Sequence, residues 1–170
     1  VADNTVYTPV FVMKGIDGWE FNPLGAIEKK KTNGQCQIGC SLIMIKDYED
    51  KNLDEYLEYR DELNVEAKAL YEKEGYKISV EKKAVEVTAD KIPMVYYKEI
   101  IYNPDGTFAN YSESLYFQYG KTTDKYCIQY KSANGVGVDD KFNFIEFVNS
   151  NFTVRPEKEE TTTVPTSEAK

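Results

Sequence analysis

The chain predicts an α+β fold, an antiparallel β-sheet with a central amphipathic helix and a C-terminal helix packed against it, and three observations carry that expectation. The segment KNLDEYLEYRDELNVEAKALYEKEGY, residues 51–76, repeats Leu53, Tyr56, Leu57, Leu63, Ala67, Leu70 and Tyr71 at three- and four-residue steps, the spacing of one helix face. Nearly everything after it (YKISVEKKAVEVTA, IPMVYYKEIIY, NYSESLYFQYG, KYCIQYKS) consists of strand-length runs rich in β-branched and aromatic residues. The run NPDGT, residues 103–107, is a hairpin turn, because Pro104 presets φ and Gly106 suits the left-handed position.

Taken in order, VYTPVFVM (6–13) and GWEFNPLG (18–25) read as strands. In NGQCQIGCSLIMI, residues 33–45, Cys36, Ile38, Cys40, Leu42 and Met44 share one face, and Gln35, Gln37, Gly39 and Ser41 share the other. This is a strand with its cysteines toward the core. The main helix has Asn52 as N-cap with Glu55 completing a capping box, acidic residues at its positive end, and Gly75 at the C′ position. Its apolar stripe packs on a flat surface, which is the sheet. A last helix in DDKFNFIEFVNS starts at an Asp cap with Phe142, Ile145 and Val148 on one face, and NFTV forms a closing strand. The order is β-β-β-α-β-β-β-β-α-β, a single domain over 6–154 with a flexible segment over 1–5 and a disordered Thr/Glu/Pro-rich tail over 155–170.

Composition excludes several chemistries. The 170 residues suffice for one domain with a sizeable core. A net charge of −8 and a pI near 4.7 argue against nucleic acid as a partner, since phosphate binding needs clustered Lys and Arg. Lys29, Lys30 and Lys31 form the only basic cluster and read as a solvated loop. There is no histidine, which removes Ser-His-Asp and Cys-His nucleophiles and the usual base near neutral pH. NGVGVDD, residues 134–140, has neither the spacing nor the Lys of a phosphate loop, so no cofactor is expected. No apolar stretch approaches the roughly 20 residues that span a bilayer. The chain begins with Val1 rather than Met, and the expectation is that a segment, an export signal or lipid anchor among the alternatives, has been removed. Tails like 155–170 are common on exported bacterial surface proteins, so an extracellular or envelope location is expected.

The two cysteines four apart are not a metal or redox pair. Four strand residues span about 13 Å, whereas a disulfide needs Cα atoms within about 7 Å and a zinc site needs sulfurs within about 4 Å. They read as small buried hydrophobes, and no metal site is expected. A bridge from one of them to Cys127 stays open, although Cys127 points away from the apolar face formed by Tyr126, Ile128 and Tyr130.

An opening hairpin with GWE, a central amphipathic helix, a meander of long strands and the closing FNFIEFVNSNFTV together resemble the PsbP-like fold. That group takes in photosystem extrinsic subunits, Ran-binding Mog proteins and many small bacterial lipoproteins. The resemblance spans about residues 6–154 and implies an α/β/α sandwich, and a non-catalytic binding or assembly role, with no family catalytic motif to place on any residue here. Cystatin-like and NTF2-like domains are the alternative, but three strands before the main helix and a helix after the last long strand fit them poorly.

The NPDGT turn sets a strand register in which Asn103 faces Thr107, so that Glu99 lies opposite Tyr111 and Tyr97 opposite Glu113. Glu99 and Glu113 then become diagonal neighbours roughly 7 Å apart on one face, the separation of an inverting acid/base pair. The same register leaves Tyr96, Tyr102, Phe108 and Tyr116 as an aromatic cluster on the outer face. Together with 14 tyrosines, it suggests a protein or glycan partner. Two functions follow: a non-catalytic binding or assembly module of the bacterial cell envelope, or a carboxylate-dependent hydrolase acting on glycans through Glu99 and Glu113.

Overall fold

The structure is a computed structural model that describes residues 5–8, 10–23, 25–120 and 123–155. In chain order its elements are β1 (Thr5–Tyr7), β2 (Phe11–Lys14), β3 (Trp19–Asn22), β4 (Ala26–Lys29), β5 (Cys36–Leu42), a 3-10 turn (Lys46–Tyr48), α1 (Leu53–Lys73), β6 (Lys77–Val87), β7 (Ile92–Tyr102), β8 (Phe108–Gln118), β9 (Lys125–Ala133), α2 (Phe144–Asn151) and β10 (Phe152–Val154). The class is α+β with antiparallel pairing throughout, as expected, but the strands form two sheets. One has three strands, β1-β2-β10; the other has seven, β3-β4-β5-β9-β8-β7-β6. The expected flexible segment 1–5 and tail 155–170 lie outside the described residues apart from Thr5, which opens β1, and Arg155, whose N–H donates to the Val10 carbonyl at 2.7 Å.

The second sheet has a local cause. VYTPVFVM is a hairpin rather than one strand, because the Thr8 hydroxyl accepts from the N–H groups of Val10 and Phe11 at 3.3 and 3.0 Å and reverses the chain. β2 then pairs with β1 on one side and β10 on the other. Likewise GWEFNPLG ends its strand at Asn22, turns, and returns as β4, an element that the sequence reading missed.

The large sheet separates two apolar layers of unequal size. Its main core lies on the face covered by α2 and the small sheet, where Ile27, Cys36, Ile38, Leu115, Phe117, Ile128 and Tyr130 meet Phe11, Met13, Phe144, Phe147 and Phe152. The opposite face carries α1 over a smaller cluster of Tyr56, Leu57, Tyr97, Tyr116 and Cys127. This corrects the expectation that the whole α1 stripe is buried: of that stripe only Tyr56 and Leu57 are, while Leu63, Leu70 and Tyr71 are 44%, 65% and 40% exposed. The reason is polar. The middle of α1 meets the sheet through Arg60, Asp61 and Asn64 instead of through leucines.

Helix boundaries follow from caps. Asn52 Oδ1 accepts from the Glu55 N–H at 2.9 Å, as the sequence indicates. At the other end Gly75, with φ of +89°, and Tyr76 donate to Glu72 and Tyr71 carbonyls at 3.1 Å each, and the Tyr71 and Tyr76 rings meet edge-on, a Schellman arrangement. The expected Asp cap of α2 is replaced by Asn143, which accepts from Glu146 N–H at 3.1 Å. Asp139 instead accepts from Lys141 N–H in the turn before it. Starting at Phe144 makes Phe144, Phe147 and Val148 the buried face, and leaves Phe142 just ahead of the helix.

Candidate functional site

The β7–β8 hairpin decides where every candidate residue points. Its turn forms as the sequence predicts, with the Asn103 N–H donating to the Thr107 carbonyl at 2.8 Å and Gly106 at φ +87°. One step further the register slips: Tyr102 faces Phe108 but Ile101 faces Asn110, so Ala109 is an extra residue, a β-bulge. The Ala109 carbonyl accepts instead from the Asn134 N–H of the loop after β9, at 3.1 Å. Because side chains alternate, one inserted residue moves the rest of β8 to the other face.

Three expectations change as a result. Glu99 lies opposite Ser112 and Glu113 opposite Lys98, so the two glutamates stand on opposite faces of the sheet and form no acid/base pair. The four aromatic residues divide: Tyr96, Tyr102 and Phe108 remain together on the α2 side, while Tyr116 faces α1 beside Tyr56 and Tyr97. Nor is the face an exposed one at all four positions, since Tyr96 and Tyr116 are 5% and 3% exposed and belong to the two cores.

On the α1 side, Glu99 accepts from Arg60 at 3.3 Å and from Asn64 Nδ2 at 3.1 Å. Asp61 accepts from the Tyr97 hydroxyl and from Lys82 Nζ, each at 2.7 Å. The Arg60 guanidinium also lies over the Tyr116 ring, 5.1 Å from its centroid. These groups fasten the helix to the sheet and consume one another's charge.

The α2 side is different. Between β6–β8 and the loop leading into α2 lies a cleft of about 580 Å³, a volume in the range of small-ligand sites. At its floor is Glu113, 8% exposed, with one carboxylate oxygen accepting from the Tyr96 hydroxyl in a short contact and the other from the Tyr111 hydroxyl at 3.0 Å. Burial, and then this carboxylate, pushes both phenols well above the ordinary tyrosine value. Lys83 and Lys98 lie over the Tyr96 and Tyr111 rings, 5.2 and 5.8 Å from the centroids. Tyr102 and Phe108, half-buried and 5.7 Å apart between centroids, form one wall. The 138–145 segment, with Asp139, Asp140 and Phe142, forms the other.

The cleft's shape depends on NGVGVDD, the loop that carries no phosphate signature. Gly135 has φ of +73°, and a Cβ there would meet Phe108 Cδ2 at 2.5 Å, so only glycine lets the loop rest on that ring. Lys29 Nζ donates to the Gly137 carbonyl at 2.7 Å and ties the same loop to β4, which gives one member of the basic cluster a structural role.

The cysteines are all free. Cys36 and Cys40 face the main core and Cys127 faces α1, on the other side of the sheet. Cys127 is not the exposed thiol that its position opposite the apolar face suggests, because α1 covers it; burial pushes its thiol up to about 11, with the Tyr116 hydroxyl and Arg60 partly offsetting this. Among the described residues no group of three or more Cys, Asp or Glu is placed to hold a metal ion, and no helix is long and apolar enough to cross a membrane.

These features define an α+β protein with a cleft of mixed polarity walled by aromatic rings and floored by a buried carboxylate. Comparison with known proteins finds no protein-family model that matches the chain and no matching curated protein.

Proposed function

We propose that the protein is a non-catalytic binding or assembly module of the bacterial cell envelope, and that the cleft beneath the 138–145 segment is its binding site. The observation that carries this reading is Glu113: a buried carboxylate held by two phenols at the floor of an open cleft beside half-exposed rings. Polar groups fixed in this way recognise a ligand without moving, which keeps the ordering cost of binding low. A two-carboxylate hydrolase is the weaker reading, since Glu99 is on the far side of the sheet in an ion pair with Arg60. The placement in the envelope rests on the composition of residues 155–170, and a PsbP-like assignment rests on element order. Helix α1 on one face of the long sheet, with α2 and the small sheet on the other, supports that assignment in layering.

The test is affinity capture from a solubilised envelope fraction with the full chain and two variants. Tyr102→Ala together with Asp140→Asn, both in the cleft, should lose the captured partner. Val65→Ala, on the far flank of α1, should retain it. Capture that survives the cleft variant and fails with Val65→Ala would place the site on α1 and end this reading.

A further inference from the structure

The charge pattern of the cleft narrows its ligand, on the reading that the cleft is the binding site. Four carboxylates, Glu81, Glu113, Asp139 and Asp140, are set against three amines, Lys83, Lys98 and Lys141, an excess of one negative charge. The two signs are interspersed and nearly cancel, so the cleft does not focus a strong field of either sign. A cationic ligand would find the faces of Tyr96 and Tyr111 already occupied by Lys83 and Lys98. An anion would approach Glu113 together with Asp139 and Asp140.

A neutral ligand that donates and accepts hydrogen bonds and also has an apolar face meets no such penalty. Each Glu113 oxygen accepts one phenolic hydrogen bond and, as a carboxylate oxygen, has the capacity for a second. Vicinal hydroxyl groups match that pair of oxygens. Tyr102 and Phe108 offer ring faces against which the C–H side of a sugar ring can lie. We infer that the cleft binds a neutral saccharide, its hydroxyls bridging Glu113 and the wall lysines and its apolar face against Tyr102 and Phe108.

The experiment is calorimetric titration of the full chain with chitotetraose, cellotetraose and maltotetraose, and in parallel with sialyllactose, a heparin tetrasaccharide and tetralysine. At least one neutral tetrasaccharide should bind saturably and the charged probes should not. Tyr102→Ala, at a half-buried position and with its fold checked by circular dichroism, should weaken the neutral ligand about tenfold, the loss of roughly one stacked ring. Asp140→Asn, at an exposed position, provides a second variant and should shift the affinity without favouring charged probes. The inference is overturned if no neutral tetrasaccharide binds, if a charged probe binds more tightly, or if Tyr102→Ala leaves the neutral affinity unchanged. Failure of every saccharide alongside Tyr102-dependent capture of an envelope protein would overturn the saccharide and keep the binding module.

Discussion

Tyr96 and Tyr116 show how much of a tyrosine's role is set by one neighbour. Tyr96 ends its buried ring on Glu113, and Tyr116 lies under Arg60 with Tyr56 and Tyr97 around it. Replacing both with Ala should therefore cost several kcal/mol, since truncating a large buried ring costs about 3–5 kcal/mol. Equilibrium urea unfolding checks this, and a combined loss below about 1 kcal/mol would mean that the rings are surface residues after all. Burial of Cys36 is legible in the sequence, because a clean two-residue alternation from Cys36 to Cys40 needs only strand geometry. Leu42 and Met44 break from it for a reason that no alternation reveals: β5 ends at Leu42 and the chain turns toward the 3-10 segment, which leaves Leu42 44% and Met44 76% exposed.

Among the elements, α1 was readable almost to the residue, since its caps are chemical signals carried by Asn52 and Gly75. The β7–β8 hairpin was readable only as far as its turn. The bulge at Ala109 left a partial trace: in FANYSESLYFQ the residues of the main core change phase, from Phe108 at an even position to Tyr111, Leu115 and Phe117 at odd ones, while Tyr116 belongs to the α1 side. A strict alternation cannot do that without an inserted residue, so the phase change marks the bulge. What no local pattern contains is the hydrogen bond that the Asn134 N–H donates to the Ala109 carbonyl, a contact between residues 25 apart in sequence that steadies the bulge from outside the hairpin. The loop that supplies it also depends on Gly135. Gly135→Ala should destabilise the fold by roughly 1–3 kcal/mol, through overpacking against Phe108 and an unfavourable positive φ. Thermal unfolding with a tryptophan signal from Trp19 measures this; an unchanged midpoint would mean that the loop does not rest on Phe108.

At the scale of the whole molecule, the core encloses several thiols and phenols, among them Cys127, Tyr96, Tyr97, Tyr111, Tyr116 and Tyr130. Burial raises the Cys127 thiol from its ordinary 9.0 to about 11 and moves Tyr96, Tyr97, Tyr111, Tyr116 and Tyr130 upward as well. The folded state therefore holds these protons more tightly than the unfolded chain. The contribution of Cys127, about 3 kcal/mol, is complete below pH 9 and is lost as the pH rises through 11, and that of the tyrosines begins to fall only above their ordinary value of 10.0. Denaturant midpoints should be flat with respect to these groups from pH 7 to 8.5 and fall steadily between 9 and 11. A stability that held constant through pH 11 would show that these side chains are solvated. The α+β class could be inferred from element order alone, whereas the division into two sheets could not, because pairing of β2 with β10 joins the two ends of the domain.

The bulge gathers Tyr96, Tyr102, Phe108, Tyr111 and Glu113 around one cleft, the proposed binding site, while Glu99 and Tyr116 serve the α1 interface. The most direct test is a set of ¹H–¹⁵N correlation spectra of the full chain titrated with its captured ligand or, before that is identified, with the neutral tetrasaccharides. The account predicts shifts concentrated at Lys98, Tyr102, Phe108, Tyr111 and Glu113 and over Asp139–Asn143, with the amides of Arg60, Asn64 and Glu99 unmoved. Shifts confined to α1 and Glu99, with the cleft silent, would contradict it.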